Sequence, residues 1–571
     1  MKRCLGLLFT VLVLSAGAQA DSTFVAGGPV SGQWTADHSP YIIRGDILVA
    51  GGSILTIGAG VRVFFEGNFC GLRVLPQGRL NVMGALGDSV VFSGDTTRTD
   101  NAWSGIQLSS GADSCRFQYT VIELSAYGGI RATGCNLELS HCSVRHNHYW
   151  AELDDQEGGG LSLYQCRVHL SDCDFSGNTA MNSGAALFRS GRSLVERCRF
   201  LNNDATNHGG ALECWSDTSE FVDCIISGNT AFGYGGGVWM ELTSPRFTRC
   251  EISRNRTNYS QGGGGVSVNL GSTPTFQDCR IEYNSSAGYG GGLAIWGSGA
   301  ASQSIVLDHC VISHNDAVHG GGIYLTGDSP ALSVQNCTVV GNSGGQSGGG
   351  IQCQTPSNAF RVNSTLVAFN TGGGLVNPPF TARGFSYNLF FGNAGGNLLN
   401  PQAGQGVISR VNLNGDSCDA FSNVFLDPLL ADTAHDDYRL TINSPCIDAG
   451  DTTQPRDPDG TFADIGAFSY PQEADAGVNP SALPAVFLLE QNYPNPFNAE
   501  TRIEYDLPHS GPIRLALYDV NGRMVRTVIE GAQVAGRHTV HVNGAGLSSG
   551  VYFYSLQSAT GTQTRKMVLL K

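Results

Sequence analysis

Residues 247–268, FTRCEISRNRTNYSQGGGGVSV, decide the fold. Phe247 stands three residues before Cys250, Ile252 two after it and Asn255 five after it. Glycines follow at 262–265, and Val266-Ser267-Val268 alternates behind them. The same order recurs at Cys142, Cys173, Cys198, Cys224, Cys250, Cys279, Cys310 and Cys337, and Thr365 and Asn388 take the place afterwards. The intervals run from 23 to 31 residues. Alternation at i, i+2 is a strand period, and nothing in the repeat has a helix period. Each unit holds two or three very short strands and cannot bury its own apolar face, so units must stack one per turn. The expected fold is all-β, a parallel β-solenoid, right-handed because parallel crossovers almost always are.

Stacking gives each repeated residue a role. Cysteines become a column of small buried hydrophobes. Asparagines form a hydrogen-bonded ladder along the axis. Glycines allow a tight corner. Parallel side-chain vectors make bridging within the cysteine column awkward, so free thiols are expected there. Cys418 and Cys446 lie outside the column and are the better disulfide candidates. Less regular alternation at 53–65, 71–92 and 121–122 suggests earlier coils. Some twelve coils would make a rod of roughly 60 Å.

Composition narrows the function. The chain has 571 residues with net charge −15. Residues 21–487 carry −19, which argues against nucleic acid and anionic membranes as partners. Lysine occurs only at Lys2, Lys566 and Lys571, so a lysine base or Schiff base is excluded from 21–565. Residues 1–20 read as a signal peptide: Lys2 and Arg3, an apolar run from Leu5 to Leu14, and Ala18-Gln19-Ala20 before Asp21. No other segment is apolar enough to span a bilayer, so a secreted, soluble protein is expected.

The expected domains are the signal peptide at 1–20, the β-helix with its cap and closing segment at 21–468, a proline-bearing linker at 469–487, and a C-terminal module at 488–571. The repeat resembles the right-handed β-helix family, in its surface-protein branch with Gly-Gly-Gly and Asn repeats. The first coils of that family are similar to Pro40–Val61, and its closing segment to Asp437–Leu440, Ser444–Gly450 and Asp457–Ala467. The second module, with Gln491–Asn498, Tyr518–Arg523, Leu547–Tyr552 and Lys566–Lys571, is similar to the type A sorting domain of the type IX secretion system. That resemblance implies a small immunoglobulin-like β-sandwich, contact with the type IX machinery, transfer across an outer membrane to the cell surface, and usual removal of the module there. The Asn521-Gly522 pair is an independent hairpin signal.

Some β-helix relatives are polysaccharide lyases or hydrolases. Mechanisms built on lysine are impossible here, and no Asp cluster lies in register beside an outward Arg, so no catalytic residue is assigned. Behind the glycine clusters, Leu212, Val238, Leu293 and Ile323 should face inward and Glu213, Trp239, Ala294 and Tyr324 outward. Two residues on, Trp215, Glu241, Trp296 and Thr326 again face outward. Glu213 then lies beside Trp239, and Trp215 beside Glu241. Aromatic faces with carboxylates suit sugar rings, although the same pattern is also ordinary aromatic stacking on a sheet with solvated acids. Glu213 and Glu241 would be about 8 Å apart, within the range of an inverting glycosidase. Two metal readings accompany this one: the stretch 146–157 with His146, His148, Trp150, Glu152, Asp154, Asp155 and Glu157, and a calcium turn at Asp457, Asp459 and Asp464, each set against a solvated loop or a plain turn. His208 and His319, which precede glycine clusters, are read as corner residues. The functional readings are a glycan-binding or adhesive surface protein, a polysaccharide lyase or glycoside hydrolase, and a structural surface spacer.

Overall fold

In a computed structural model the chain is described over residues 22–66, 69–94, 103–149, 157–297, 305–327, 331–354, 360–376, 384–472, 487–508, 511–533, 536–558 and 561–570. The signal peptide and most of the linker lie outside these residues. The chain divides into two compact units, one ending at Gln472 and one beginning at Glu473.

The first unit is a parallel β-solenoid built from the repeat. Within one coil the chain runs through Glu251–Ser253 (sheet one), turns at Asn255, adds Arg256–Thr257 (sheet four), turns through the glycines into Val266–Asn269 (sheet two), and crosses to Thr275–Gln277 (sheet three) before Cys279. Sheets one and two each stack 15 strands, sheet three 14, and the short sheet four eight. Coils therefore outnumber the twelve expected, because the irregular N-terminal turns also pair, from Thr23–Val25 onward. At the strand spacing of parallel sheets this gives an axial length of roughly 70 Å.

In-register pairing is what the repeat buys. Inside, Phe221, Phe247 and Phe276 stack with ring centroids 4.7 and 5.1 Å apart. From Asn147 to Asn393, each ladder asparagine donates Nδ2 to the Oδ1 of the next at 2.8–3.0 Å, while that Oδ1 also accepts the main-chain N–H of the first. The ladder Cys Sγ atoms donate to main-chain carbonyls. All 16 described cysteines are buried and outside any disulfide, as expected for the column. Cys418 and Cys446, the better disulfide candidates, are also thiols, in one apolar cluster with Leu389, Val424 and Ile465. Thr365 and Asn388 continue the cysteine column: Thr365 Oγ1 accepts the Cys337 N–H, Asn388 Oδ1 accepts the Thr365 N–H, and Asn388 Nδ2 donates to Asn423 Oδ1.

Glycine is required where the coils touch. At Gly237 a Cβ would sit 2.7 Å from the carbonyl oxygen of Gly265, and Gly235 holds φ +67°. Two further corners per coil are left-handed, mostly without glycine. Arg249 and Arg254, immediately before Cys250 and Asn255, have φ of 50° and 55°, and the equivalent residues of neighbouring coils agree. The corner before the cysteines carries alternating charge: Arg197 forks onto Asp172 at 2.8 and 3.0 Å, and Arg249 onto Asp223 at 2.7 and 2.9 Å.

The closing segment covers the last coils. Asn423 extends the inner ladder by donating to the Phe385 carbonyl, and Tyr438 packs against Val311 and Val340 on the outside of sheet one. The second unit has two antiparallel sheets: Leu488–Leu489, Glu500–Leu507 and Gly536–Asn543, and Met524–Gln533, Gly511–Tyr518, Gly550–Ser558 and Gly561–Leu569. They enclose Leu489, Ile503, Leu515, Tyr554, Met567 and Leu569, a small sandwich core. At its Asn521-Gly522 hairpin, Gly522 has φ +75° and Asp519 Oδ1 accepts the N–H groups of Asn521 and Arg523.

Candidate functional site

Sheet two presents two outward columns. The register puts Glu213 against Trp239 and Trp215 against Glu241 on adjacent strands Leu212–Trp215 and Val238–Glu241. The first column is not open to solvent. Glu213 is 0% exposed, Trp239 5% and Tyr324 4%. The chain between each ladder asparagine and its glycine cluster, including the strands of sheet four, folds over this column. His208 stacks on Trp239 at 4.7 Å, Tyr289 lies 4.5 Å from Tyr324 and 5.2 Å from His319, and Ser183 donates to Glu213 Oε2 at 3.2 Å. The expectation of an exposed face is corrected at Glu213, Trp239 and Tyr324: they point away from the coil interior into a second, outer layer. His208 and His319 are corner residues of that layer.

Glu213 is the extreme case. Its Oε1 has no partner among the described residues. Burial pushes its carboxyl up to about 7; the Ser183 hydrogen bond and the nearby Arg189 charge oppose the rise, and Glu241 adds to it. Burial likewise raises Glu241. Burial lowers His208 to about 4, which keeps the imidazole stacked on Trp239 neutral near pH 7.

The second column is half-exposed and continuous. Tyr164, Arg189, Trp215, Glu241 and Asn269 pair in register, and Trp296 pairs with Thr326 farther along. The Arg189 guanidinium lies over Trp215 at 4.2 Å and over Tyr164 at 5.8 Å. Asn269 Nδ2 and Trp296 Nε1 have no hydrogen-bond partner among the described residues. Tyr164, Arg189 and Asn269 were not singled out from sequence. They occupy the position three residues after the first inward residue of the strand, which the repeat alignment already marks.

The two metal readings fare differently. Trp150, Glu152, Asp154 and Asp155 lie outside the described residues. Of the rest of that stretch, Glu157 is buried and faces Arg131 at 3.7 Å. The carboxylates of Asp457, Asp459 and Asp464 serve the main chain. Asp464 Oδ1 and Oδ2 accept the N–H groups of Asp448 and Tyr470 at 2.7 and 2.6 Å, Asp457 Oδ2 that of Asp464, and Asp459 those of Thr461 and Gln472. N–H dipoles aimed at these oxygens supply the positive charge that a cation would otherwise bring. Among the described residues no cluster of three or more His, Cys, Asp or Glu side chains has metal-binding geometry. No helix among them is long and apolar enough to cross a membrane.

Comparison with known proteins agrees with both units. Residues 87–244 and 232–371 match the family described as right handed beta helix region, and residues 491–570 match the secretion system C-terminal sorting domain. No curated protein matches the chain by sequence. Among solved structures, pectate lyase Pel9A is similar at 11% identity and a TM-score of 0.31, covering 72% of this chain and 88% of that one.

Proposed function

We propose that this chain, a secreted right-handed β-helix protein carried by a type IX sorting domain and attached to the cell surface or released, binds glycan along the half-exposed column of sheet two. The observation that carries the reading is the row Tyr164, Arg189, Trp215, Glu241, Asn269, Trp296, in which aromatic side chains alternate with charged and amide groups along a partly exposed column. The C–H faces of a sugar ring would pack on the aromatic side chains, with its hydroxyls bonded to the charged and amide groups between them. Hydrolysis by Glu213 and Glu241 is the weaker reading, because the sealed Glu213 carboxyl cannot reach a glycosidic oxygen.

A glycan array probed with the secreted chain and with Trp215→Ala/Trp296→Ala tests it. Both side chains are half-exposed, so the variant should keep its fold and bind about tenfold more weakly. Unchanged binding by the variant to every glycan the parent holds would refute the reading. Release of reducing sugar, or ultraviolet absorbance from unsaturated uronates, over a polysaccharide panel would replace it with catalysis.

A further inference from the structure

The closing segment carries an exposed apolar patch beside a pocket. Val411, Leu413, Leu426, Leu429 and Ile442 are all exposed, Leu413 by 73% and Ile442 by 72%. Turn chemistry puts them there. Asn412 Oδ1 accepts the N–H groups of Asn414 and Asp416 at 3.0 and 2.8 Å, and Gly415 takes φ +85°. These bonds close the hairpin of Ile408–Val411 and Ser417–Asp419 and leave Leu413 at its tip. Asn414 Nδ2 donates to the Ile447 carbonyl, and Ser444 Oγ donates to the Pro428 carbonyl at 2.6 Å, which fixes the turn that bears Ile442. Leu426, Leu429, Ile442 and Ile447 then line a pocket of about 550 Å³, with Leu413 next to the lining residue Asn414. Ligand clefts run from roughly 300 to 1,000 Å³. One exposed aliphatic side chain is ordinary, but several around one cleft mark an interaction site.

The lining also sets the charge of what fits. Asp416, Asp427 and Asp448 line the pocket, and among the described residues no arginine, lysine or histidine does. Each carboxylate accepts from a neutral donor: Asp416 from Asn412 Nδ2 at 3.3 Å, Asp427 from the Leu429 N–H at 3.0 Å and Asp448 from Gln472 Nε2 at 2.7 Å. Gln472 is where the linker begins. Residues 473–486 carry Glu473 and Asp475 and no basic residue, so the chain's own continuation has the same sign as the pocket and is a poor occupant. Beside the pocket, Ile408–Val411 pairs only with Ser417–Asp419 among the described residues. Its other edge leaves main-chain N–H and C=O groups for an added strand.

We propose that the pocket of the closing segment docks an extended peptide segment of a partner protein that carries aliphatic side chains next to lysine or arginine. The aliphatic side chains pack against Leu426, Leu429 and Ile442, and Leu413 closes over them from the hairpin tip. The ammonium or guanidinium groups meet Asp416, Asp427 and Asp448, forming charge-assisted hydrogen bonds in place of neutral ones. Aliphatic stems of lysine or arginine add to the same apolar contact while their heads stay at the acidic groups. This site lies on the closing segment and is separate from the aromatic column of sheet two.

Fluorescence anisotropy of the secreted chain with three short labelled peptides tests the proposal: leucine with lysine, leucine with glutamate, and serine with lysine. The parent should bind the leucine–lysine peptide best, and less tightly as salt rises. Leu413→Ser/Ile442→Ser changes two exposed turn positions, so it should keep the parent's melting temperature and bind that peptide about tenfold more weakly. Asp416→Asn/Asp427→Asn keeps an acceptor oxygen at each position and should also bind more weakly, by a margin that shrinks as salt rises. No binding of the leucine–lysine peptide, equal binding of either control peptide, or folded variants that bind like the parent would overturn the assignment. Dimerisation of the parent in sedimentation, lost in Leu413→Ser/Ile442→Ser, would overturn it in favour of a second copy of this chain.

Discussion

Replacing Asn255 by alanine measures what the ladder contributes. Asn255 is fully buried, and its side chain takes part in four hydrogen bonds: Nδ2 donates to the Ile226 carbonyl at 2.9 Å and to Asn284 Oδ1 at 3.0 Å, and Oδ1 accepts from the Asn229 N–H at 3.0 Å and Asn229 Nδ2 at 2.9 Å. In Asn255→Ala, Asn284 Oδ1 keeps the Asn255 N–H, and Asn229 Nδ2 keeps the Phe200 carbonyl. The Asn229 main-chain N–H and one proton of its amide, both in a fully buried residue, lose their acceptor. At about 1–3 kcal/mol for each buried group left unpaired, the loss should be about 2–6 kcal/mol. A solenoid unfolds coil by coil, so the local readout is the sharper one. Amide hydrogen exchange should accelerate at Asn229 and in the coils on either side, while the sandwich of the second unit keeps its protection. A global loss below about 1 kcal/mol, with Asn229 still protected, would refute the view that this ladder holds adjacent coils together.

Three further outcomes follow from the charged groups. Glu213 has a folded pKa of about 7 against 4.5 unfolded, so the folded state binds the extra proton between those values and stability falls as pH rises through that window. Glu213→Gln removes the penalty, and its melting temperature should gain on the parent from pH 4.5 to 7, by an amount equivalent to at most about 3 kcal/mol; parallel pH profiles would show that the carboxyl is not desolvated. Asp172 is held below its ordinary pKa first by its hydrogen bond to Arg197, so the stability it adds is present above the unfolded value of 3.8 and lost as pH falls through the lower folded one. Asp172→Asn should therefore cost under about 1 kcal/mol at neutral pH and nothing in strong acid, as read by urea denaturation. The turn of Asp457, Asp459 and Asp464 is held by N–H groups, so equal melting temperatures in calcium and in EDTA are expected; a rise with calcium would reassign these aspartates as ligands.

What was legible in the sequence is what the interior repeats. Phe247, Cys250, Ile252 and Asn255 recur because each must match the coil above and below, and a mismatch there disrupts two contacts at once. That periodicity gave the sheets, their register and the pairing of Glu213 with Trp239. It did not give the outer layer. The segments that cover Glu213 and Trp239 form strands as short as Thr179–Ala180 and Asp204–Ala205, too brief and too polar to show a strand period. The left-handed corners were equally hidden. Gly177, Gly228 and Gly341 mark the one before the asparagines, but Arg254, Tyr283 and His314 adopt the same φ with side chains that give no sign of it. The outward arginines of sheet three are a different kind of omission. Arg167 and Arg192 each stand six residues before a ladder cysteine, a position that the alignment exposes once one asks what faces outward ahead of the column.

The division between interior and exterior explains why binding sites on such a chain run lengthwise. An inward residue is constrained by its own coil and two neighbours, so the phenylalanine, cysteine and asparagine columns stay nearly uniform. An outward residue touches mainly the residues above and below it in the same column, and its identity is free to change from coil to coil. The covered column of sheet two shows the limit of that freedom: with Ser183 and His208 packed over it, Glu213 and Trp239 again answer to three dimensions of packing and become structural. The columns left uncovered, from Tyr164 to Trp296 on sheet two and from Asn81 to Glu220 on sheet three, are where chemistry can vary without loosening the coil. A ligand that read such a column along its length would be a polymer, because the column runs over several coils at rung spacing.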